Sequence, residues 1–281
     1  MPPILLHLAD CDAWRPAVFA ATLSADEETR AQRFRHAVDR DRFVVRRGLL
    51  RRLIGERLGV EASRVPLALG PAGKPMLAAV DLHRAGVAAA DGAPCFNLAR
   101  SGGLALYVFL PLANARAVTG PDGPALGVDL ERIDTDRRSL ADLRRIAEHF
   151  APEETSFLQS LPDARAAEVF YRLWTCKEAC LKCLGTGIGG GGPTLADVVI
   201  ALNPDGTASG NARTASGRSW RVACFTPCAG YTAAVAVPVA EATSGGNLPL
   251  EVAVQRVEPE AAERAVSRVA APPPERAPEA P

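Results

Sequence analysis

The run Trp174-Thr175-Cys176-Lys177-Glu178-Ala179-Cys180-Leu181-Lys182 lies inside a longer stretch, Ala164 to Leu184. Phe170, Leu173, Trp174, Leu181 and Leu184 recur there at helical spacing, so the stretch reads as one helix with an apolar face. Glu178 and Lys182 are four residues apart and therefore stack on one side of that helix. Taken alone, such a pair is an exposed ion pair worth a few tenths of a kcal/mol. A second acidic pair upstream changes the reading: Asp129-Leu130-Glu131 closes the apolar segment Ala125-Leu126-Gly127-Val128, a strand by composition. Two acids on a strand, with a Glu and a Lys on a long helix, form a set that can hold a hard cation and a polyphosphate together.

With 281 residues, 48% of them hydrophobic, the chain is long enough for one large domain or two small ones with a sizeable core. The formal net charge is zero, so bulk charge does not point to nucleic acid. Aromatics at 5% also argue against base-stacking platforms, and no nucleic-acid partner is expected. The seven cysteines do not follow the spacing of a zinc ribbon. Cys176, Cys180 and Cys183 share one helical stripe, and Cys224 and Cys228 lie in a late segment. They read as buried free thiols of a reducing compartment. Ile4-Leu5-Leu6 is too short for the core of a signal peptide and follows no basic region, so the expected location is the cytoplasm. Val222 to Ala240 carries no charge, but Pro227, Gly230 and Pro238 break it; two buried strands with a turn are expected there, not a membrane span.

Taken in order, Ile4 to Leu8 reads as a first strand. Ser24 with Glu27 forms a capping-box pattern that opens an arginine-rich helical region reaching Leu58, with Asp39 and Asp41 marking a break between two helices. Leu67 to Leu69 leads into the turn Gly70-Pro71-Ala72-Gly73-Lys74-Pro75, and Leu77 to Pro94 reads as a loop. Cys95 to Ser101 and Leu104 to Leu110 form a hairpin around Gly102-Gly103. Asn114 to Pro124 is the candidate boundary between halves. Helices are expected over Ser139 to Phe150 and Pro152 to Leu161, the second with Pro at its first position. Gly185 to Gly192 is a helix cap followed by a loop, and strands fit Asp197 to Leu202, Ser219 to Phe225 and Tyr231 to Val239. Residues 241–281 are rich in Pro, Ala, Glu, Arg and Ser and read as a disordered tail.

With these pieces in place, the chain resembles the 4′-phosphopantetheinyl transferases of the larger, surfactin-synthetase-activating type. Gly127-Val128-Asp129-Leu130-Glu131 is similar to that family's G-V/I-D-x-E motif, and Trp174 to Lys182 to its W-S/T-x-K-E-A/S-x-x-K motif. Gly73-Lys74-Pro75, Phe96-Asn97-Leu98, His149 to Glu154 and Gly230 to Ala236 are weaker matches, and the resemblance covers roughly residues 1 to 240. It implies an α+β fold of two similar halves related by a pseudo-twofold axis, here residues 1–120 and 121–240, in a monomer. It also implies transfer of the phosphopantetheine arm of coenzyme A to a serine of an acyl or peptidyl carrier protein, with release of 3′,5′-ADP. A homologue that binds coenzyme A or a carrier protein without catalysis is the alternative.

By the same resemblance Asp129, Glu131 and Glu178 bind Mg²⁺, and Glu178, Lys182 and Asp129 form the catalytic set. Lys182 touches the pyrophosphate, and Lys74, Arg30, Arg47, Arg100 and Lys177 bind the cofactor. The family commonly has a histidine where this chain has Arg100. Arg100 either grips phosphate with a permanent charge or pairs with a carboxylate in a degenerate site.

Overall fold

The computed structural model describes residues 3–70, 73–77, 94–110, 119–120, 123–124, 126–185, 191–203, 205–239, 250–260 and 263–264. Alternation along the first strand, β1 (Ile4–Asp10), sorts its side chains between two interiors. Ile4, Leu6 and Leu8 enter a core shared between two sheets, whereas Ala9 enters a core under the N-terminal helices. α1 (Ala25–Gln32) begins with the expected capping box: Ser24 accepts from the Glu27 backbone, and Glu27 reaches back to the Ser24 backbone. α2 (Ala37–Leu58) follows and packs Val45, Leu49, Leu53 and Ile54 over the sheet. The break between these helices falls at residues 33–36, not at Asp39 and Asp41. Asp39 instead occupies the first turn of α2, where the helix dipole favours an acid.

A small hairpin, β2 (Leu67–Leu69) with β3 (Pro75–Leu77), brings Lys74 in toward the body. β4 (Cys95–Ser101) and β5 (Leu104–Leu110) form the expected hairpin with matching bounds. The loop expected over Leu77 to Pro94 lies mostly outside the described residues, as do most of the Asn114 to Pro124 boundary and residues 186–190 of the glycine-rich exit. β6 (Thr119–Gly120) and β7 (Gly123–Pro124) form a two-residue pairing.

The second half opens with β8 (Gly127–Arg132). Three helices follow: α3 (Leu140–Ala147), α4 (Pro152–Ser160) and α5 (Asp163–Leu184). α5 is the helix expected from the apolar spacing, and Gly185 closes it in the left-handed conformation at φ 72°. β9 (Val199–Leu202), β10 (Ala208–Arg213), β11 (Ser219–Phe225) and β12 (Tyr231–Pro238) complete a five-stranded sheet in the order β8-β12-β11-β10-β9. The uncharged stretch from Val222 is thus divided between β11 and β12, and no described helix is long and apolar enough to cross a membrane. β10 was not expected, since Ala-Ser-Gly-Asn-Ala-Arg lacks the residues that favour strands.

Each sheet carries a 22-residue helix on its outer face, α2 on one and α5 on the other. The inner faces share a core of Leu6, Leu8, Leu106, Val108, Val128, Leu130, Ala233 and Val235. This is the α+β, two-half plan.

The expectation of a disordered segment from residue 241 is wrong for the part of it that is described. β13 (Val252–Arg256) pairs parallel with β1 and makes the N-terminal sheet four-stranded, β13-β1-β5-β4. Leu250 is buried, and Glu263 lies 2.9 Å from Arg52 of α2. Val252 and Val254 alternate as strand residues do, within a composition that reads otherwise. Burying one Leu contributes about 2 kcal/mol, to which the β13 pairing adds. Ending the chain before Leu250 is therefore expected to lower Tm by roughly 5 °C or more, measured by calorimetry. An unchanged Tm would show that the strap contributes nothing.

Candidate active site

The site is built where β8 passes under α5, and glycine sets the spacing. A Cβ on Gly127 would stand 1.8 Å from the Ala179 carbonyl oxygen, and backbone cannot yield as a side-chain tip does. Strand alternation then turns Val128 and Leu130 into the shared core and Asp129 and Glu131 toward α5. Lys182 and Glu178 come down from the helix one turn apart.

Lys182 Nζ lies 2.6 Å from Asp129 Oδ1. Asp129 is buried, and its other oxygen, Oδ2, has no hydrogen-bond partner. Burial raises the Asp129 pKa, against the pull of Lys182. Glu131 is fixed by the Ser101 hydroxyl, which donates to Oε2 at 3.0 Å. Its pKa is raised by burial and by the charge of Asp129. The Glu178 carboxyl is pushed up to about 7, first by burial and then by Asp129, with Lys182 pulling the other way. The three acids therefore feel one another's charge. They do not form a ready metal cage: among the described residues no group of three or more His, Cys, Asp or Glu is arranged to hold an ion. Lys182, taking one oxygen of Asp129, already neutralises part of the cluster.

Two polar residues clamp the seam between the halves: Asn97, which lies in the Phe96-Asn97-Leu98 match, and Ser101, which the sequence reading did not single out. Ser101 Oγ accepts from the Arg132 backbone at 2.9 Å while donating to Glu131. Asn97 Nδ2 donates to the Leu126 carbonyl at 2.7 Å. Asn97, Ala99 and Ser101 alternate on one face of β4, and that period was a readable signal. Beyond the tip of the β4–β5 hairpin lies a cavity of about 550 Å³ whose wall includes Arg42, Gly102, Gly103, Arg132, Tyr231 and Arg256.

The expected cofactor residues divide sharply. Lys177 is wholly buried on the far side of α5, 2.6 Å from Glu154, and also donates to the carbonyls of Leu195 and Val198. It locks α5 to α4, so its assignment to cofactor binding is corrected. Lys74 Nζ donates to the Lys182 carbonyl at 2.9 Å, capping the C-terminal end of α5. Its charge serves the helix that carries the site, and burial lowers its pKa. Arg47 is buried and lies 3.3 Å from Glu27, which Arg51 also grips at 2.7 Å; it clasps α1 to α2 and is not presented to a ligand. Arg30 is exposed, 5.4 Å above the Phe43 ring. Arg100 is exposed beside Ser101, and among the described residues no ion pair with a carboxylate is seen for it. Arg46, which sequence reading passed over, faces Arg100 from α2, and burial and that neighbour both lower its pKa.

Two outcomes follow from this geometry. Gly127→Ala is expected to cost about 3 kcal/mol by overpacking and to lower activity with it, read by denaturant unfolding. The second concerns Glu178, whose pKa is 4.5 as a free side chain and about 7 in the fold. The folded state thus keeps a proton that the unfolded chain releases, so stability from this group falls as pH rises from 4.5 through 7. Metal-free Glu178→Gln should melt a few degrees above the parent protein at pH 8, with the gap closing toward pH 4.5. A variant melting below the parent at pH 8 would contradict the crowding of these acids.

A sequence profile of the 4′-phosphopantetheinyl transferase superfamily matches residues 125–236, the segment that holds both motifs. Over 247 residues the chain is 37% identical to the 4′-phosphopantetheinyl transferase HetI of Nostoc sp., covering 84% of this chain and 91% of that protein. It is 29% identical to a phosphopantetheinyl transferase of Thraustochytrium sp. over 188 residues, 64% of this chain and 58% of the relative. Among solved structures, a holo-(acyl-carrier-protein) synthase from Bacillus anthracis in complex with CoA (3′,5′-ADP) aligns at 19% identity with a TM-score of 0.34, over 41% of this chain and 96% of its own. Given its identity to HetI across most of both chains, this protein belongs to the 4′-phosphopantetheinyl transferase superfamily.

Proposed function

We propose that this chain moves the 4′-phosphopantetheine arm of coenzyme A onto a serine of an acyl or peptidyl carrier protein, with Mg²⁺ as cofactor. The observation that carries the reading is the meeting of Asp129, Glu131, Glu178 and Lys182 at the β8–α5 crossing. In the reaction the serine oxygen attacks the phosphorus that bears the pantetheine, the bond from that phosphorus to the bridging oxygen breaks, and 3′,5′-ADP leaves.

The donor set suits Mg²⁺, which takes oxygen ligands and commonly keeps waters and substrate oxygens beside one or two carboxylates. Asp129 Oδ2, buried and without a partner, is one such oxygen, and Glu131 and Glu178 supply others. A site completed by phosphate oxygens does not need a protein cage. When bound, the metal supplies positive charge to the breaking pyrophosphate. Lys182 adds a second positive charge beside Asp129. Glu178, beside Asp129 and one turn of α5 from Lys182, is placed to take the serine proton. Ser101 holds Glu131 in place before substrate arrives. Arg46 and Arg100 offer guanidinium charge to the phosphates.

The test is mass spectrometry of apo carrier proteins of the fatty-acid, polyketide and peptide types, incubated with the protein, coenzyme A and Mg²⁺. A gain of one phosphopantetheine is expected on at least one of them. No gain on any, with a proven transferase working alongside, would sink the proposal. Asp129→Ala and Glu178→Gln should each lower the rate on the order of a hundredfold or more while circular dichroism stays unchanged.

A further inference from the structure

The end of α5 is held from the opposite half of the molecule. The turn between β2 and β3 fixes the Lys74 backbone: Gly73 takes the left-handed conformation at φ 73°, and the Gly70 N–H donates to the Lys74 carbonyl at 2.8 Å. The Lys74 side chain then reaches across the seam. Nζ donates to the Lys182 carbonyl at 2.9 Å and, at a longer 3.5 Å, to the Leu126 carbonyl. These two acceptors flank one place. Leu126 precedes Gly127, and a Cβ on Gly127 would stand 1.8 Å from the Ala179 carbonyl oxygen and 2.9 Å from the Cys183 backbone nitrogen. Lys74 therefore spans the point where the backbones of β8 and α5 come together. Asn97 shares the Leu126 carbonyl, donating at 2.7 Å, and its Oδ1 accepts from the Leu98 backbone at 2.7 Å, which fixes the amide in orientation.

We propose that Lys74 is a positioning residue for the transfer rather than a ligand of coenzyme A: by anchoring the Lys182 carbonyl it keeps the Lys182 ammonium on Asp129. The kinetic consequence rests on the transferase reading, whereas the anchor rests on geometry alone. The last carbonyls of a helix have no intrahelical partner of the usual kind. Apart from Lys74, the Lys182 carbonyl accepts from the Gly185 backbone at 3.3 Å. An ammonium at that end also opposes the negative pole of the helix dipole. Among the described residues no ion pair with a carboxylate is seen for Lys74, and two of its three N–H bonds are directed at backbone carbonyls. Lys182 is thus held at both ends, its carbonyl by Lys74 and its Nζ by Asp129 Oδ1 at 2.6 Å. Releasing the carbonyl frees the last turn of α5 to fray, and the Lys182 side chain then loses its fixed place beside Asp129. The N-terminal half in this way sets the position of a charge that works in the C-terminal half.

Lys74→Met keeps the length of the side chain and removes its donors. In the full-length protein, hydrogen exchange read by mass on peptides covering residues 178–185 should quicken about tenfold, as expected for loss of a charge-assisted hydrogen bond. Peptides covering residues 163–172 should exchange as before. With a carrier that the protein modifies, kcat should fall about tenfold or more while KM for coenzyme A stays within about twofold. Lys74→Arg, which keeps a charged donor, should recover most of the rate, and Lys74→Gln, with a neutral donor, is the milder variant should Lys74→Met not fold. Lys182→Met and the double variant complete a cycle: if Lys74 acts through Lys182, its loss adds little once Lys182 is gone. The proposal is overturned by unchanged exchange at residues 178–185, by losses that multiply in the double variant, or by a raised KM for coenzyme A with kcat preserved, the mark of a phosphate ligand. Faster exchange in a protein that modifies no carrier would uphold the anchor and count against the transferase reading instead.

Discussion

The site depends on how closely a helix backbone approaches a strand. Most helices stand on a sheet with side chains from both elements between them. At Gly127 that layer is absent, and the Ala179 carbonyl occupies the volume a Cβ would need. This lowers the middle of α5 onto β8 and lets short carboxylates on the strand meet Glu178 and Lys182 on the helix. A longer separation would leave Asp129 and Glu131 facing apolar side chains, where a charged carboxylate is costly. The glycine of the Gly-Val-Asp-Leu-Glu run therefore acts through packing: it brings in no chemistry and makes the neighbouring chemistry possible.

The same helix presents two lysines in opposite conditions. Lys177 is wholly buried and has Glu154 and two carbonyls as partners. Glu154 in turn accepts from the backbones of Ala151 and Ile200. That network is closed, as a buried ion pair must be to offset its desolvation. Lys182 is partly exposed, and its partner Asp129 keeps one buried oxygen without a hydrogen bond. Nearby, Glu178 carries a raised pKa that a stability-optimised interior would not retain. One cluster is satisfied within the polypeptide, and in the other a buried carboxylate oxygen has no hydrogen-bond partner among the described residues.

Much of this was legible in the sequence wherever local pattern and tertiary role agree. The apolar spacing of α5, the Ser24–Glu27 box and the β4–β5 hairpin each report a local rule that the fold keeps. β10 and β13 were missed because neighbours supply what the sequence lacks: β10 lies between β9 and β11, and β13 adds to an edge that β1 had already formed. The acids and Lys182 were legible because two motifs frame them. The arginines and the other lysines were not, because a long cationic side chain bears the same letter whether it clasps, caps or binds. Arg47 and Lys177 were drawn toward the cofactor by their neighbours in sequence, and burial with an acidic partner removed both.

What remains after that sorting is informative. Arg42 is taken by Asp12, Arg51 and Arg47 by Glu27, and Arg52 by Glu263. Among the described residues no ion pair with a carboxylate is seen for Arg46 or Arg100, and the guanidiniums acting on Arg46 are those of Arg100 and Arg42, both repulsive. A fold gains nothing by holding like charges together at the end of a hairpin, since their repulsion and the desolvation of Arg46 both oppose it. The arrangement becomes favourable only when an anion enters, and an arginine pair presents fixed forks of donors to phosphate oxygens. Arg100 stands one residue from Ser101, which is bonded to Glu131. In the proposed reaction, a phosphate held by these two arginines would therefore lie close to the acids.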